Sequence, residues 1–251
     1  LVFPLFSRAQ VHEHLDAHEH DERIILSPKG RILGVKALEN VSVSLRSGER
    51  LAIIGRNGSG KTTLLQVMAG IIAPDTGRVV VEGSCTNLIN ITLGMKPEAS
   101  GHRNITLRGL AAGQSRESIE AKRAGIAAFS DLGEFLDMPI DTYSAGMRMR
   151  LSFASATAFE PEILLLDEWI SAGDAAFRKK ATERMHEFVS KAGILVLASH
   201  DRKLLLDNCT KAVWLERGRV MAIGEVAALL DDYDAYLARA REAPPVNPRR
   251  A

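Results

Sequence analysis

The run Gly55, Arg56, Asn57, Gly58, Ser59, Gly60, Lys61, Thr62 has the residue types and spacing of a phosphate-binding loop, G-x-x-x-x-G-K-[ST]. Glycines let a backbone wrap closely around phosphate oxygens, and successive N–H groups then point inward as an anion nest. A short apolar strand at residues 51–54 leads into the run, and an apolar-periodic helix starts near Lys61. The positive end of that helix adds to the field of the nest. Lys61 would reach the β- and γ-phosphates, the Thr62 hydroxyl would ligate Mg²⁺, and Thr63 would add a contact at the helix start. This context implies a bound nucleoside triphosphate.

Two further groups could do chemistry beside such a loop. Four apolar residues at 163–166 lead straight into Asp167 and Glu168. Asp167 would hold Mg²⁺ through a water, because that ion dehydrates reluctantly. Glu168 would polarise the attacking water as general base. The apolar run Ile194–Ala198 is followed by Ser199 and His200, and a histidine there can hydrogen-bond a γ-phosphate. Ser144 is a good N-cap for a helix at 148–158. The histidines His12, His14, His18 and His20 mix with acidic residues at helical spacing, as a solvated face would, and this pattern outweighs a metal-site reading.

The elements that must position these groups follow from periodicity. Residues 38–45 alternate as an antiparallel strand should, and 78–82 read as a β-branched strand. Residues 163–166 and 194–198 read as buried parallel strands, Ala175–Lys191 as a helix, and 213–216 with 219–223 as a hairpin. A short acidic helix follows the hairpin. The expected organisation is one α/β domain over 1–241, with a polar mobile insertion at 7–34, a helical block at about 95–158, and a Pro- and Arg-rich disordered tail at 242–251.

Composition narrows the function classes. The net charge of +1 supplies no bulk field for nucleic acid, so no nucleic-acid partner is expected. Two cysteines with no C-x-x-C spacing fit a reducing compartment. No apolar run approaches the roughly 18–20 residues of a membrane helix, so any membrane association is expected through a partner. The chain begins at Leu1 rather than Met, so a few preceding residues are expected.

The order of phosphate loop, Ser-x-Gly helix start, Asp167-Glu168 and Ser199-His200 resembles the nucleotide-binding subunit of ATP-binding cassette (ABC) transporters. The family signature reads Leu-Ser-Gly-Gly-Gln, of which this chain keeps Ser144 and Gly146, with Ala145 and Met147 as departures. The resemblance implies a P-loop ABC ATPase core with a small antiparallel β-subdomain and an inserted α-helical subdomain, with ATP and Mg²⁺ as ligands. It also implies that Ser144 and Gly146 contact ATP held by a second copy, that His200 is the switch histidine, and that Asp174 lies at the dimer seam. The family's coupling-loop glutamine is missing, and Asn90 is the candidate by position, with an amide that would approach Mg²⁺. Phe3, ahead of Phe6, is the candidate for stacking on adenine.

Several strings are similar to exporters of lipid-linked polysaccharide such as O-antigen or cell-wall glycan: 93–98, 143–147, 168–177 and the opening 3–6. That branch implies ATP hydrolysis in a homodimer on the cytoplasmic face of the membrane, attached to a multi-span permease that handles the lipid-linked glycan. Some members add a carbohydrate-binding domain, and a chain of this length is expected to lack one. An importer cassette, a teichoic-acid or capsule exporter, and a soluble ATP-driven clamp stay open as alternatives. One phosphate loop and no sustained heptads weigh against the clamp.

Overall fold

The computed structural model describes residues 2–3, 23–89, 91, 94–168 and 175–242. In chain order the strands and helices are β1 Val2–Phe3, β2 Ile24–Leu26, β3 Ile32–Lys36, β4 Arg50–Ile54, α1 Lys61–Met68, β5 Cys85–Asn87, α2 Gly101–Ala111, α3 Arg116–Ser130, α4 Ala145–Ala156 and β6 Ile163–Asp167. They continue with α5 Ala175–Lys191, β7 Ile194–Ala198, α6 Arg202–Asn208, β8 Lys211–Glu216, β9 Arg219–Glu225 and α7 Val226–Glu242.

The larger sheet has the order β5-β6-β7-β4-β8-β9, parallel throughout except for β9, which returns antiparallel to β8. Its central strands are continuous apolar runs because both faces are covered. Alternate residues feed two cores. Ala52, Ile54, Leu164, Leu166, Leu195 and Leu197 face α5 and α7 through Phe177, Met185, Phe188 and Leu229. Leu51, Ile53, Leu165, Val196, Ala198 and Val213 face α1 through Leu64 and Leu65.

The helical block has its own core, built on Ile105, Ile119, Ile126, Leu136, Ile140 and Leu151. Helix α4 joins it to the sheet, since Leu151 and Ala154 face the block while Phe153 and Ala156 face the α5 side. Phe129, Phe153 and Phe177 pack ring on ring across that junction at centroid separations of 5.7–6.1 Å.

The small antiparallel sheet differs from the expectation. It is formed by β1-β3-β2 rather than by 38–45 and 78–82, which join no ladder. Val41, Val43 and Leu45 still alternate in burial with Ser42 and Ser44. Alternation reports one-sided burial, and an extended chain can bury alternate residues without giving its N–H and C=O groups to a neighbouring strand. Val79, Val80 and Val81 are exposed. The polar insertion expected over 7–34 is corrected as well: its end forms β2 and most of β3. Ile24, Ile25 and Leu26 supply apolar content, and a tight turn held by Gly30 N–H to the Ser27 carbonyl (2.9 Å) reverses the chain. The helix after the hairpin is also longer than expected, running 17 residues. Residues 4–22 and 243–251, including the four clustered histidines and Phe6, lie outside the described residues.

One buried polar side chain secures the entry to the helical block. Asn104 is 1% exposed, and its Oδ1 accepts the Lys96 N–H at 2.8 Å. Its Nδ2 lies 3.0 Å from the carbonyl oxygens of Lys96, Ala99 and Ser100. Replacing it leaves buried backbone groups without partners, at about 1–3 kcal/mol for each group lost. Asn104→Ala is therefore expected to lower stability by at least about 2 kcal/mol, read as a lowered urea midpoint with an unchanged slope.

Candidate functional site

Ligands of parallel α/β sheets sit beyond the carboxyl ends of the strands. Here Ile53 of β4, Ala198 of β7 and Asp167 of β6 are in register, so three adjacent strands finish level. Each delivers its chemistry one or two residues later: the phosphate loop from β4, Glu168 from β6 and His200 from β7.

The loop's glycines are needed for space. A Cβ at Gly55 (φ 149°) would lie 2.1 Å from the Leu215 carbonyl oxygen, and one at Gly60 (φ 106°) would lie 2.9 Å from that of Ala37. Ser59 is buried, and its Oγ has no hydrogen-bond partner among the described residues. Its carbonyl accepts the N–H of Gly218, at the turn between β8 and β9, at 2.8 Å. The Gly218 carbonyl in turn accepts the Glu39 N–H at 2.8 Å. The hairpin turn is thus stapled to the loop.

Lys61 is 9% exposed, and its ammonium donates to the carbonyls of Gly55 at 2.8 Å and Arg56 at 3.2 Å. Burial pushes its pKa down, and the charges of Asp167, Glu168 and Glu216 oppose that shift. It also approaches His200 Nε2 at 3.4 Å. The Thr62 hydroxyl donates to Asp167 Oδ2 at 2.6 Å. Glu168 sits in the left-handed region (φ 66°), held there by its N–H to the Ala198 carbonyl at 2.8 Å. Such a backbone costs a non-glycine residue about 1–3 kcal/mol and is typical of active positions. The Ser199 hydroxyl lies 3.4 Å from Glu168 Oε2, and Asp201 caps α6, which fixes the chain after β7.

These groups surround a cavity of about 580 Å³. Asn57, Gly58, Gly60, Lys61, Thr62 and Thr63 form its floor, and Asp167, Glu168 and His200 form one wall. Gly55, Arg56 and Ser59 support the loop without lining the cavity. Arg23, Val35 and Ala37 also line it and were not anticipated from sequence. The Arg217-Gly218 turn follows from its place between two apolar runs, but its link to the phosphate loop was not anticipated. Phe3 pairs with Val35 in the β1–β3 register, which sets its backbone beside this part of the lining. Asn90 and Asp174 lie outside the described residues.

Ser144 and Gly146 are not part of this cavity. Both are exposed at the start of α4, where Ser144 Oγ accepts the Met147 N–H at 3.2 Å. A Cβ at Gly146 would meet only Ser144 Oγ, at 3.8 Å, so the helix start is open to an approaching group.

The site fits a triphosphate with its cation. Gly55 and Gly60 let the loop lie close against the Leu215 and Ala37 carbonyls, which holds its shape beside the cavity, and Thr62 with Asp167 offers the hard oxygen donors that suit Mg²⁺. A phosphate loop on a parallel sheet, with an acid and a histidine on the neighbouring strand ends, defines a P-loop nucleoside triphosphatase. Residues 38–171 match the family model described as ABC transporter. The chain is 45% identical over 192 residues to the O-antigen export system ATP-binding protein RfbE of Yersinia enterocolitica, covering 76% of this chain and 80% of that protein. It is 38% identical to RfbB of Myxococcus xanthus, an O-antigen export system ATP-binding protein, over 79% of this chain. It is 39% identical to the teichoic acids export ATP-binding protein TagH of Bacillus anthracis, over 80% of this chain. It spans 46% and 36% of the lengths of those two proteins. Among solved structures, an ATP-binding subunit of an ABC transporter superposes with a TM-score of 0.64 at 23% identity, over 84% of this chain and 91% of that one. The dimeric post-hydrolysis state of the ATP-binding cassette MJ0796, bound to ADP and phosphate, gives 0.60 at 20% identity, over 81% and 97%. The chain belongs to the ABC transporter family, as an ATP-binding and ATP-hydrolysing subunit.

Gly218 offers a direct test of the staple. It has φ 79°, and an added Cβ would lie 2.4 Å from the Ala37 carbonyl oxygen, whereas one at Gly224 in β9 would meet nothing within 4 Å. Gly218→Ala is expected to lower the melting temperature and weaken ATP binding severalfold, as measured by calorimetry. Gly224→Ala, the control, should leave ATP binding at the wild-type value.

Proposed function

We propose that this chain is the ATPase subunit of an exporter that moves a lipid-linked polysaccharide across the cytoplasmic membrane. The observation that carries this reading is the 45% identity to an O-antigen export ATP-binding protein across most of both chains. Similarity to teichoic acid exporters supports a second cargo of the same kind, another lipid-linked cell-surface glycan. Among the described residues no helix is long and apolar enough to cross a membrane. The subunit would therefore sit on the cytoplasmic face, held by a multi-span permease near Asn90, with the permease handling the glycan.

In this reading two copies pair, and each ATP lies between the phosphate loop of one and the Ser144 helix start of the other. The open α4 N-terminus supports that role, since its backbone donors and dipole suit a phosphate. Asp174 would line the seam, and Phe3, set opposite Val35, would stack on the adenine. Lys61 binds the β- and γ-phosphate oxygens, and its burial strengthens that attraction. Thr62 and Asp167 would hold Mg²⁺, which when bound draws charge from the phosphate oxygens. Glu168 takes a proton from water as its oxygen bonds the γ-phosphorus, the bond to the β,γ-bridging oxygen breaks, and ADP and phosphate result. A ring N–H of His200 would hydrogen-bond the γ-phosphate during that transfer. ATP would close the pair through charge-assisted contacts available only across the seam, and hydrolysis would remove them.

Glu168→Gln is expected to lower kcat by about 10²-fold or more and to accumulate an ATP-bound dimer on size exclusion; ordinary turnover would remove the base assignment. Lys61→Ala should lose most ATP affinity. Tagged Glu168→Gln protein, with ATP, should also retrieve one multi-span permease carrying a lipid-linked glycan from detergent-solubilised native membranes, identified by mass spectrometry. A permease bearing another solute would keep the transporter and discard the glycan.

A further inference from the structure

We infer that Arg202 is a positioning residue for His200, tying the loop that carries the histidine to helix α7. This inference rests on the reading of His200 as a γ-phosphate contact and adds a residue outside the cavity lining.

Residues 199–205 form one hydrogen-bonded unit. The Asp201 N–H donates to Ser199 Oγ at 3.1 Å, and Asp201 Oδ1 accepts the Leu204 N–H at 3.0 Å as the cap of α6. The Asp201 carbonyl accepts the Leu205 N–H at 3.1 Å. His200 sits inside this unit, one residue ahead of the cap, so the seating of α6 bears directly on where the imidazole meets the cavity. Yet α6 has seven residues, of which Leu205 is buried and Leu204 partly so. A helix this short is marginal alone. Two neighbouring apolar side chains fix its position better than its direction.

Arg202 supplies the further attachment. From the first position of α6 it reaches α7, where Nη1 donates to Asp234 Oδ2 at 2.8 Å and Nη2 donates to Asp231 Oδ1. The two acids are three positions apart and so share one face of α7. The planar fork of the guanidinium divides between them, which constrains its angle as well as its distance. Helix α7 is a firm partner, because Val226, Leu229, Leu230 and Tyr233 are buried in the core. Trp214 meets Tyr233 and Tyr236 edge-on at centroid separations of 5.4 and 4.9 Å, and Glu225 caps the helix start through the Ala227 and Ala228 N–H groups. Exposed ion pairs contribute little to stability singly. The consequence of this three-charge network, two residues from His200, is therefore placement of the loop.

The test is steady-state ATPase of the full chain, with ATP affinity measured separately by calorimetry. It compares wild type with Arg202→Gln, Arg202→Lys, the α7 pair Asp231→Asn with Asp234→Asn, and the α7 pair combined with Arg202→Gln. The expected result is a fall in kcat of about fivefold or more in Arg202→Gln, with KM and ATP affinity within about twofold of wild type. The α7 pair should fall by the same factor, and the combined variant should add no further loss. Arg202→Lys should recover part of kcat. The ring resonances of His200, assigned by their absence in His200→Gln, should move alike in Arg202→Gln and in the α7 pair. A merely structural role would lower the melting temperature while leaving kcat and those resonances in place well below it. Unchanged kcat, an equal loss of ATP affinity, additive losses in the combined variant, or unmoved His200 resonances each overturns the inference. Were His200→Gln to turn over ATP as wild type does, the reading of His200 itself would fail instead.

Discussion

The parallel register of β6, β7 and β4 is the constraint on which the site depends. Asp167, Ala198 and Ile53 share one row, so the phosphate loop, the acid pair and the histidine emerge side by side from three strands. A slip of one residue in any of them would turn its side chains to the opposite face and break both cores at once. That double penalty is what makes the positions of Thr62 and Asp167 dependable to hydrogen-bond precision. Catalytic geometry here is a by-product of burying Leu164, Leu166, Leu195 and Leu197 on one side and Leu165, Val196 and Ala198 on the other.

The loop placed on that row is under electrostatic and steric load. Lys61 is buried at a cost that its carbonyl contacts and the nearby carboxylates offset. Gly55 and Gly60 press against the carbonyls of Leu215 and Ala37, and Gly218 ties the β8–β9 turn to Ser59. The loop is therefore shaped by β8 and by the chain near Ala37 as much as by its own sequence. Glu168 adds a left-handed backbone to the same region, held by a bond to the strand beside it. Rigid strands carry this load, and the residues that must face the phosphates are held open.

Much of this was legible in the chain itself, for identifiable reasons. Buried parallel strands are unbroken apolar runs, so 163–166 and 194–198 could be read directly, and the acid and the histidine followed from their ends. The glycine pattern of the loop reflects local backbone demands, and local demands are what a sequence states most openly. The small sheet was harder. Its three strands are short, Val2–Phe3 pairs with residues more than thirty positions away, and the His- and Asp-rich stretch before Arg23 masked the apolar triplet at 24–26. The strings 38–45 and 78–82 misled because their alternation records burial while ladder pairing depends on a partner. Arg23, Val35 and Ala37 escaped for a related reason, since their link to the loop is a long-range contact that no spacing encodes.

The placement of Ser144 bears on how such a subunit could be switched. Its helix start is exposed and stands outside the cavity formed by its own chain, yet it presents the donors that suit a phosphate. On the proposed reading, each chain then carries two halves of different sites, and neither half is saturated until copies meet. Affinity for ATP and affinity for the second copy become one linked quantity, because each ligand supplies contacts that the other needs. The junction where α4 packs on both the sheet and the helical block, through Phe129, Phe153 and Phe177, ties that helix start to both cores. On the proposed reading, the strand-end row of one copy and the α4 start of the other would share the work of holding each ATP.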